Sequence, residues 1–491
     1  MKLESLPSRS PALRLIEFSS ALGSAPLPQP LIEQAKGCLL DALGCGLFGS
    51  GQPWGQIMSE EIFADRSQGA CTVYGRSQTT AAPQAALCNG TAIHGFELDD
   101  LIPSSIIHPG TVIVPAVVAA AEAVDATGKR LLRGIIAGYE AMSRLSLALG
   151  LEPSHRGFHK TSVVGPVAAA IAAGVVMDLP TEQLSCAVGL ACSTASGIKS
   201  FAGGSGGGMV KRMHAGRAAA AGVRMSQLAR RGFTGPASAV DGRFGLLEVF
   251  AGQSAQPDCL WQGLGEQWAI NEVWVKVYPV CGWIQGVVQL LLALRGAQPL
   301  DAKRIKKVTV GTSEFAVKYN GNVSPSDTME AQYSIPYCVA VALTADASDP
   351  NAFSLEAIKD PARRAIAGRV ELGVDAQSEA VYPKQFSSRV QLHLDNGEVK
   401  EAATLNPHGT AADPCTSAER IAKFVRLAGL SPLKRDPAAI VAAVQTLDTT
   451  KSARELGKLL RIDQGGGAPA SVRIGKSPAS SSCCWPSRDS R

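Results

Sequence analysis

Residues 159–177 read HKTSVVGPVAAAIAAGVVM and indicate a helical fold. Alanine, glycine and valine dominate this stretch, and a helix that is apolar on all sides is buried rather than exposed along one face. Its apolar part, 163–177, is shorter than the ~20 residues that a membrane span requires. The pattern therefore predicts a buried helix inside a tightly packed helical domain.

Similar patterns extend on both sides of this stretch. Apolar residues recur at three- and four-residue spacing through most of residues 12–250, as they do in amphipathic helices. The segments are 13–22, 31–48, 113–124, 131–149, 183–195 and 214–231. The last segment stops at Gly232, and glycine commonly ends a helix. Residues 1–270 are therefore predicted to form the first part of a helical domain.

The pattern changes near residue 270, where alternating and β-branched sequences begin. Strands are predicted at 273–280, 304–312, 369–374, 389–394 and 398–404, and helices at 286–295 and 334–344. The turn Asp395-Asn396-Gly397 favours a hairpin between the last two strands.

These elements predict a mainly α protein with an α+β second domain. The α+β domain is expected at 271–405, and the helical pattern returns at 406–464. Residues 465–491 are rich in Gly, Ser and Pro, which predicts a disordered tail.

The composition excludes several classes of protein. The chain has 491 residues, with 47 Lys and Arg against 42 Asp and Glu, and 46% of its residues are hydrophobic. That hydrophobic fraction excludes intrinsic disorder of the whole chain. The net charge of +5 is too dilute for a nucleic-acid-binding surface, and most of it lies in residues 465–491. A charged fraction of 18% is typical of a large compact enzyme or of an oligomer with buried interfaces.

The cysteines and the N-terminus bear on the cellular compartment. Twelve cysteines form no CxxC pair, and most lie in apolar helical patterns, as expected of a reduced cytoplasmic protein. The spacing of Cys and His does not match that of zinc ligands, so no metal is expected. The first residues lack the apolar segment of a secretory signal, and no membrane partner is expected.

The first candidate motif is HGFELDD at 94–100, followed by His108. Glu97, Asp99 and Asp100 precede that histidine, and a carboxylate beside a histidine can supply a general acid or base with an orienting partner. The alternative is the end of a helix followed by a solvated acidic loop.

Two further motifs each precede a helical pattern. His159 stands directly before the alanine-rich stretch, where it is either catalytic or structural. A glycine run at 203–208 precedes Lys211, Arg212 and His214. Because no Gly-Lys-Ser/Thr follows the run, a nucleotide-binding loop is disfavoured. A mobile loop that delivers cations to a helix start suits an anionic substrate with several carboxylates.

The fourth motif is KVYPVCGW at 276–283. Lys276 is either a second carboxylate anchor or an ordinary exposed strand residue. Cys281 lacks an identifiable histidine partner, which disfavours a nucleophilic cysteine.

Taken in order, these motifs resemble the MmgE/PrpD family, which includes 2-methylcitrate dehydratase, cis-aconitate decarboxylase and an iminodisuccinate epimerase. The resemblance covers roughly residues 12–460. It rests on LLDALGC, NGTAIHGFELDD, HPG, GFHKTSVVGPVAAA, GGMVKRMHAGRAAAAG, KVYPVCGW, QYSIPYCVAVAL and NPHGTAADPCT. It implies one helical domain built from the N-terminal part and the C-terminal helices, with the α+β domain as a smaller lid. It also implies a homodimer, a site between the two domains, no metal and no organic cofactor.

The resemblance also implies roles for individual residues. The acidic, histidine and lysine positions of the family that carry catalysis fall on Glu97, Asp99, Asp100, His108, His159 and Lys211. Positions expected to bind substrate are Lys276, Arg212, His214 and Tyr337. Glu97 is one methylene longer than the family's usual Asp, and Cys281 and Gln285 stand where relatives place histidines.

The expected function is that of a cofactor-independent lyase. Its substrate would be a small di- or tricarboxylate, and the reaction would move a proton next to a carboxylate. Dehydration of the 2-methylcitrate type is favoured slightly over decarboxylation of the cis-aconitate type. The alternatives are an epimerase or racemase of a dicarboxylate, and a catalytically degenerate carboxylate-binding protein.

Overall fold

The structure is a computed structural model that describes residues 10–203 and 208–463. It is mostly helical, with a small mixed sheet in the C-terminal region, which confirms the predicted fold class. Residues 204–207 of the glycine loop that we expected to be mobile lie outside the described residues. The same holds for the tail at 465–491 that we expected to be disordered.

The first half of the chain is built from helices. They are Pro11–Leu22 (α1), Gln29–Ser50 (α2), Pro53–Ala64 (α3), Ala82–Ile93 (α4), Gly110–Val124 (α5), Gly128–Leu149 (α6), Glu152–His155 (α7), Lys160–Val176 (α8), Thr181–Cys192 (α9), Met209–Arg230 (α10) and Leu246–Ala251 (α11). A short two-stranded ladder pairs Cys71–Thr72 (β1) with Thr79–Thr80 (β2).

The second half mixes helices and strands. Its helices are Gly282–Arg295 (α12), Glu314–Tyr319 (α13), Thr328–Gln332 (α14), Ile335–Thr344 (α15), Leu355–Ile358 (α16), Pro361–Ala367 (α17), Ala376–Val381 (α18), Ser417–Gly429 (α19), Pro437–Gln445 (α20) and Arg454–Leu459 (α21). Its strands are Ile305–Thr312 (β3), Val370–Val374 (β4), Ser388–Leu394 (β5) and Val399–Thr404 (β6). Short 3-10 helices occupy Ser200–Gly203, Gly252–Ser254, Pro257–Leu260, Ala269–Glu272, Ala302–Arg304, Pro350–Phe353 and Leu447–Thr449.

The alanine-rich helix α8 is the centre of the helical domain. Every one of its residues is buried, and it packs against α5, α6, α9 and α10. Small residues permit this arrangement: a Cβ atom on Gly222 of α10 would overlap Ala169 of α8. The close packing holds the N-termini of α8 and α10 side by side.

The sheet of the second domain has the order β4-β3-β5-β6. Strands β3 and β4 run parallel, whereas β5 runs antiparallel to both β3 and β6. The predicted hairpin is confirmed, and Gly397 has the positive φ of 86° that its turn requires.

One predicted strand, at 273–280, is wrong. Only Trp274 forms an isolated bridge, with Leu101, and the Val275 N–H donates to the Gly409 carbonyl at 3.0 Å. The chain then turns at residues 277–280 and enters α12 at Gly282. The apolar character reflects burial between two loops of the protein instead of membership of a sheet.

The C-terminal helices return to the helical domain. Helix α19 packs against α2, and α21 contacts α5. The Lys423 ammonium pairs with Asp41 at 2.7 Å and donates to the Leu98 carbonyl at 2.6 Å, both inside the protein. Across the described ranges, the helices are all too short or too polar to cross a lipid bilayer.

Candidate active site

Polar side chains from both domains meet around the loop that follows α4. This loop, residues 94–109, faces the N-termini of α8 and α10 on one side. Lys276 and Tyr333 approach it from the other side. A group of histidines, carboxylates and lysines is thereby buried together, which is costly unless the charges are paired or neutralised.

Glu97 is the centre of the lysine side of this group. It lies at the left-handed φ of 55°, and only 5% of it is exposed. Its Oε1 accepts a short hydrogen bond from Lys211 Nζ, and its Oε2 accepts one from Lys276 Nζ at 3.1 Å. Burial alone would raise the pKa of Glu97, but the two ammonium groups lower it well below its usual range. Glu97 therefore stays ionised.

Tyr333 completes the lysine side. Lys211 Nζ donates to the Tyr333 hydroxyl at 3.0 Å. Burial, followed by the nearby Glu97 charge, raises the pKa of Tyr333 well above 10. Because the hydroxyl stays protonated and accepts from a cation, its own proton remains available for donation.

Asp99 is the centre of the histidine side. Its Oδ2 lies 3.0 Å from His94 Nδ1 and 2.9 Å from His108 Nδ1, and the latter is also 2.8 Å from the Asp100 carbonyl oxygen. Burial would raise the pKa of Asp99, but Lys276 and the two histidines hold it well below its usual range. An N–H at Nδ1 of His108 donates to these oxygens, which leaves Nε2 to accept or deliver a proton.

Two more histidines continue this side of the group. His159 Nδ1 lies 3.1 Å from His214 Nδ1, and the His159 ring stacks on His94 with centroids 5.8 Å apart. Phe201 contacts both His159 and His214 edge-on. Burial lowers the pKa of His94 to about 4 and that of His214 to about 4, and it lowers the pKa of His159 as well. These rings are therefore neutral near pH 7.

Asp100 points away from the histidine rings. Its carboxyl group accepts hydrogen bonds from the Gly110 N–H at 2.8 Å and from the Tyr139 hydroxyl at 2.7 Å. Burial raises the pKa of Asp100 to about 7. The side chain supports the start of α5, while its main-chain carbonyl orients His108.

The described residues also include donor sets that suit a metal ion. The side-chain donors of His94, Asp99 and His108 lie within 4.8 Å of one another. Both histidines already aim Nδ1 at the same Asp99 oxygen, so hydrogen bonds account for this arrangement.

The comparison with family models covers most of the chain. The MmgE/PrpD N-terminal domain matches residues 14–258, and the MmgE/PrpD C-terminal domain matches residues 278–448. The chain belongs to the MmgE/PrpD family. The resemblance inferred from the motifs is therefore confirmed.

Individual relatives in this family are distant in sequence. A cis-aconitate decarboxylase of Aspergillus terreus is 29% identical over 349 residues, which are 67% of this chain and 71% of that protein. A cis-aconitate decarboxylase-like protein of Aspergillus oryzae is 27% identical over 93% of this chain and 98% of its own length. The human cis-aconitate decarboxylase is 27% identical over 70% of this chain and 73% of that protein.

Most of the residues that the motifs singled out meet in this one site. They are Glu97, Asp99, His108, His159, Lys211, His214 and Lys276. For Lys276, the structure decides between the two interpretations, because the side chain is 1% exposed and bonded to Glu97. For Glu97 and Asp99, the alternative of a solvated acidic loop is wrong, since both are buried. Their individual roles in a reaction stay predictions.

Two other predicted residues lie at the margin of this MmgE/PrpD site or away from it. Arg212 stacks on Trp54 at 3.7 Å and donates to the Gly95 carbonyl at 2.8 Å, so it braces the loop. The Tyr337 hydroxyl donates to the Ala352 carbonyl at 2.7 Å, and its ring packs on Phe353. Tyr337 is therefore not brought to the lysines, and Tyr333 takes the place that we expected for it.

Cys281 and Gln285 behave differently from each other. Cys281 is buried near Glu97, and burial raises the pKa of its thiol to about 12. Gln285 donates to the Tyr278 and Val280 carbonyls and so holds the turn that precedes α12. The Cys281 thiol therefore borders the site, whereas the Gln285 amide stabilises the backbone of the turn.

Sequence reasoning did not assign a role to His94, Tyr333 or Phe201. His94 stands in the HGFELDD motif, five residues before Asp99. This proximity in sequence is the signal from which its contact with Asp99 could be predicted. Tyr333 lies four residues before Tyr337 in QYSIPY, and the sequence alone does not say which tyrosine faces the lysines. No pattern in the sequence points to Phe201.

Proposed function

We propose that the protein is a lyase that acts on a small di- or tricarboxylate, and that it decarboxylates a substrate like cis-aconitate. The observation that carries the proposal is the buried contact of Glu97 with Lys211 and Lys276, next to the Asp99–His108 pair. The relatives named as cis-aconitate decarboxylases support decarboxylation over the dehydration that the motifs slightly favoured.

The lysine side would bind the substrate. Each ammonium group has three N–H donors. Lys276 uses one on Glu97, while Lys211 uses one on Glu97 and one on Tyr333. Donors therefore remain for substrate carboxylates, and charge-assisted hydrogen bonds in a buried site are strong. Glu97 holds both ammonium groups in place.

The histidine side would move the proton. In decarboxylation, the bond between a carbon and its carboxylate breaks, carbon dioxide leaves, and the electron pair stays on the carbon until it takes a proton. Protonated His108 Nε2 or the Tyr333 hydroxyl would deliver that proton, and solvent would restore it. Asp99 accepts from His108 Nδ1 and orients the ring, as a partner carboxylate does for a general acid or base.

Incubation of the purified protein with cis-aconitate in deuterated water tests this proposal. Mass spectrometry is expected to find loss of carbon dioxide and one solvent deuteron on carbon in the product. Loss of water from 2-methylcitrate instead would assign dehydration. Deuterium in recovered substrate without any loss would assign an epimerase, and binding without turnover would assign a degenerate member.

Several expectations about the surroundings of the enzyme stay predictions. These are a homodimer, a cytoplasmic location, the absence of a cofactor, and the absence of nucleic-acid and membrane partners. Sedimentation equilibrium of the full chain tests the first of them directly.

A further inference from the structure

A second group of titratable side chains lies where the chain leaves β6 and enters α19. It consists of His408, Asp413, Cys415 and Glu419, from the NPHGTAADPCT stretch and the first turn of α19. None of these residues contacts the lysine or histidine sides described above. We refer to them as the 408–419 cluster.

Both ring nitrogens of His408 face other side chains of the cluster. His408 Nδ1 lies 3.1 Å from Asp413 Oδ2, so its proton is directed at that carboxylate. His408 Nε2 then faces Glu419 Oε1 at 3.0 Å and Cys415 Sγ at 3.8 Å. The other Glu419 oxygen accepts from the N–H and hydroxyl of Thr416, which fixes the carboxylate in a capping box.

We propose that His408, Cys415 and Glu419 bind a divalent metal ion of the zinc type, contrary to the expectation from the spacing of Cys and His in the sequence. Bond lengths of zinc sites place N and O ligands about 3.3 Å apart and S and N ligands about 3.6 Å apart in a tetrahedron. The separations of 3.0 and 3.8 Å differ from these by only a few tenths of an ångström. All three donor atoms lie within 4.8 Å of one another.

Two features favour a metal over a simple ion pair of His408 with two carboxylates. An ion pair does not account for the free Cys415 thiol directed at the same imidazole nitrogen. Asp413 on the opposite nitrogen provides the carboxylate–histidine contact that orients metal-bound histidines. The His408 and Glu419 side chains are 27% and 49% exposed, so an ion can enter and water can complete the coordination.

The site would stabilise a loop that holds Lys276. The His408 carbonyl accepts from the Trp274 indole at 3.3 Å, and the Gly409 carbonyl accepts from the Val275 N–H at 3.0 Å. A metal ion bound by this loop and by α19 would therefore restrain the segment just before Lys276. Binding to the folded state alone raises its stability.

Cobalt(II) titration of the full-length, reduced and EDTA-treated protein tests the proposal. We expect one equivalent to bind, with visible bands of tetrahedral cobalt and a near-ultraviolet thiolate charge-transfer band, and with zinc displacing it. Cys415→Ser should remove the charge-transfer band, whereas the matched control Cys259→Ser should keep it. Asp413→Asn should weaken binding roughly 10-fold.

Absence of a thiolate band in the wild type overturns the proposal, as does a band that persists unchanged in Cys415→Ser. Circular dichroism of the metal-free variants separates loss of binding from loss of fold. Binding that survives Cys415→Ser but disappears in Asp99→Asn would place the ion at the His94, Asp99 and His108 group, which also overturns it.

Discussion

The two sides of the candidate site are both largely buried, but they differ in how they hold charge. On the lysine side, Glu97 contacts two ammonium groups directly, and these contacts lower its pKa so that it remains ionised. On the histidine side, burial lowers the pKa of His94 and His214 to about 4, so the rings are neutral. Paired charges therefore characterise the lysine side, whereas on the histidine side neutral imidazole rings surround one ionised carboxylate, Asp99.

The difference originates in one short loop. Glu97 and Asp99 are only two residues apart, yet Glu97 contacts lysines and Asp99 contacts histidines. The left-handed backbone of Glu97, with φ at 55°, turns the chain between them. One carboxylate thus faces Lys211 and Lys276, and the other faces His94 and His108.

Breaking the histidine side should have the largest effect. His108→Ala and Asp99→Asn should each lower kcat by ~10²–10⁴, the usual contribution of a positioned acid or base, with little change in KM. Steady-state kinetics on the substrate identified by mass spectrometry measures this. His155→Ala changes an exposed histidine and should keep full activity. Near wild-type kcat in both site variants would remove the histidine side from the reaction.

Breaking the lysine side should act on binding. Lys276→Met removes one buried ammonium group, and loss of a charged hydrogen bond should raise KM roughly 10- to 100-fold. Lys359→Met, at an exposed lysine, is the matched control. An unchanged KM in Lys276→Met would contradict the binding role.

Variants of Tyr333 and Tyr337 test which of the two tyrosines takes part in the reaction. Tyr333→Phe should lower kcat about 10-fold or more because a proton donor is lost. Tyr337→Phe should keep kcat and destabilise the fold by about 1 kcal/mol, since the hydrogen bonds of its hydroxyl with Ala352 and Arg363 are lost. Kinetics and thermal unfolding of the pair distinguish them, and the reverse pattern would restore the original expectation for Tyr337.

Asp100 should show the smallest effect, in the pH dependence of stability. Burial raises its pKa to about 7, so the folded protein holds a proton that the unfolded chain releases at lower pH. Its contribution is fully present below the unfolded pKa and is lost as pH rises to about 7. Asp100→Asn stays neutral, so its Tm relative to the wild type should rise from about pH 4 to about pH 7 and then level off. A Tm difference independent of pH would argue against the raised pKa.

The sequence is sufficient for the general architecture and for much of the site. Helical spacing predicts the helical domain, and the Asp395-Asn396-Gly397 turn predicts the hairpin, because both depend on local pattern. Motifs identify Glu97 and Lys211, but only packing brings them together across 114 residues of chain.

The failures have tertiary causes. Residues 273–280 have the apolar pattern of a strand, but they are buried between two loops. A local pattern does not distinguish a buried loop segment from a strand. Which tyrosine, Tyr333 or Tyr337, faces the lysines depends on the turn between α14 and α15. The short sequence between the two helices does not determine that turn. Asp100 shares a motif with Asp99, yet its carboxyl group faces the start of α5.

Calorimetric binding of tricarballylate, the saturated analogue of cis-aconitate, tests the division of the site most directly. The analogue offers the carboxylates but cannot react. Asp99→Asn should bind it as the wild type does, whereas Lys276→Met should bind it roughly 10-fold or more weakly. Equal loss of affinity in both variants would contradict the claim that the lysines bind the substrate and the histidines move the proton.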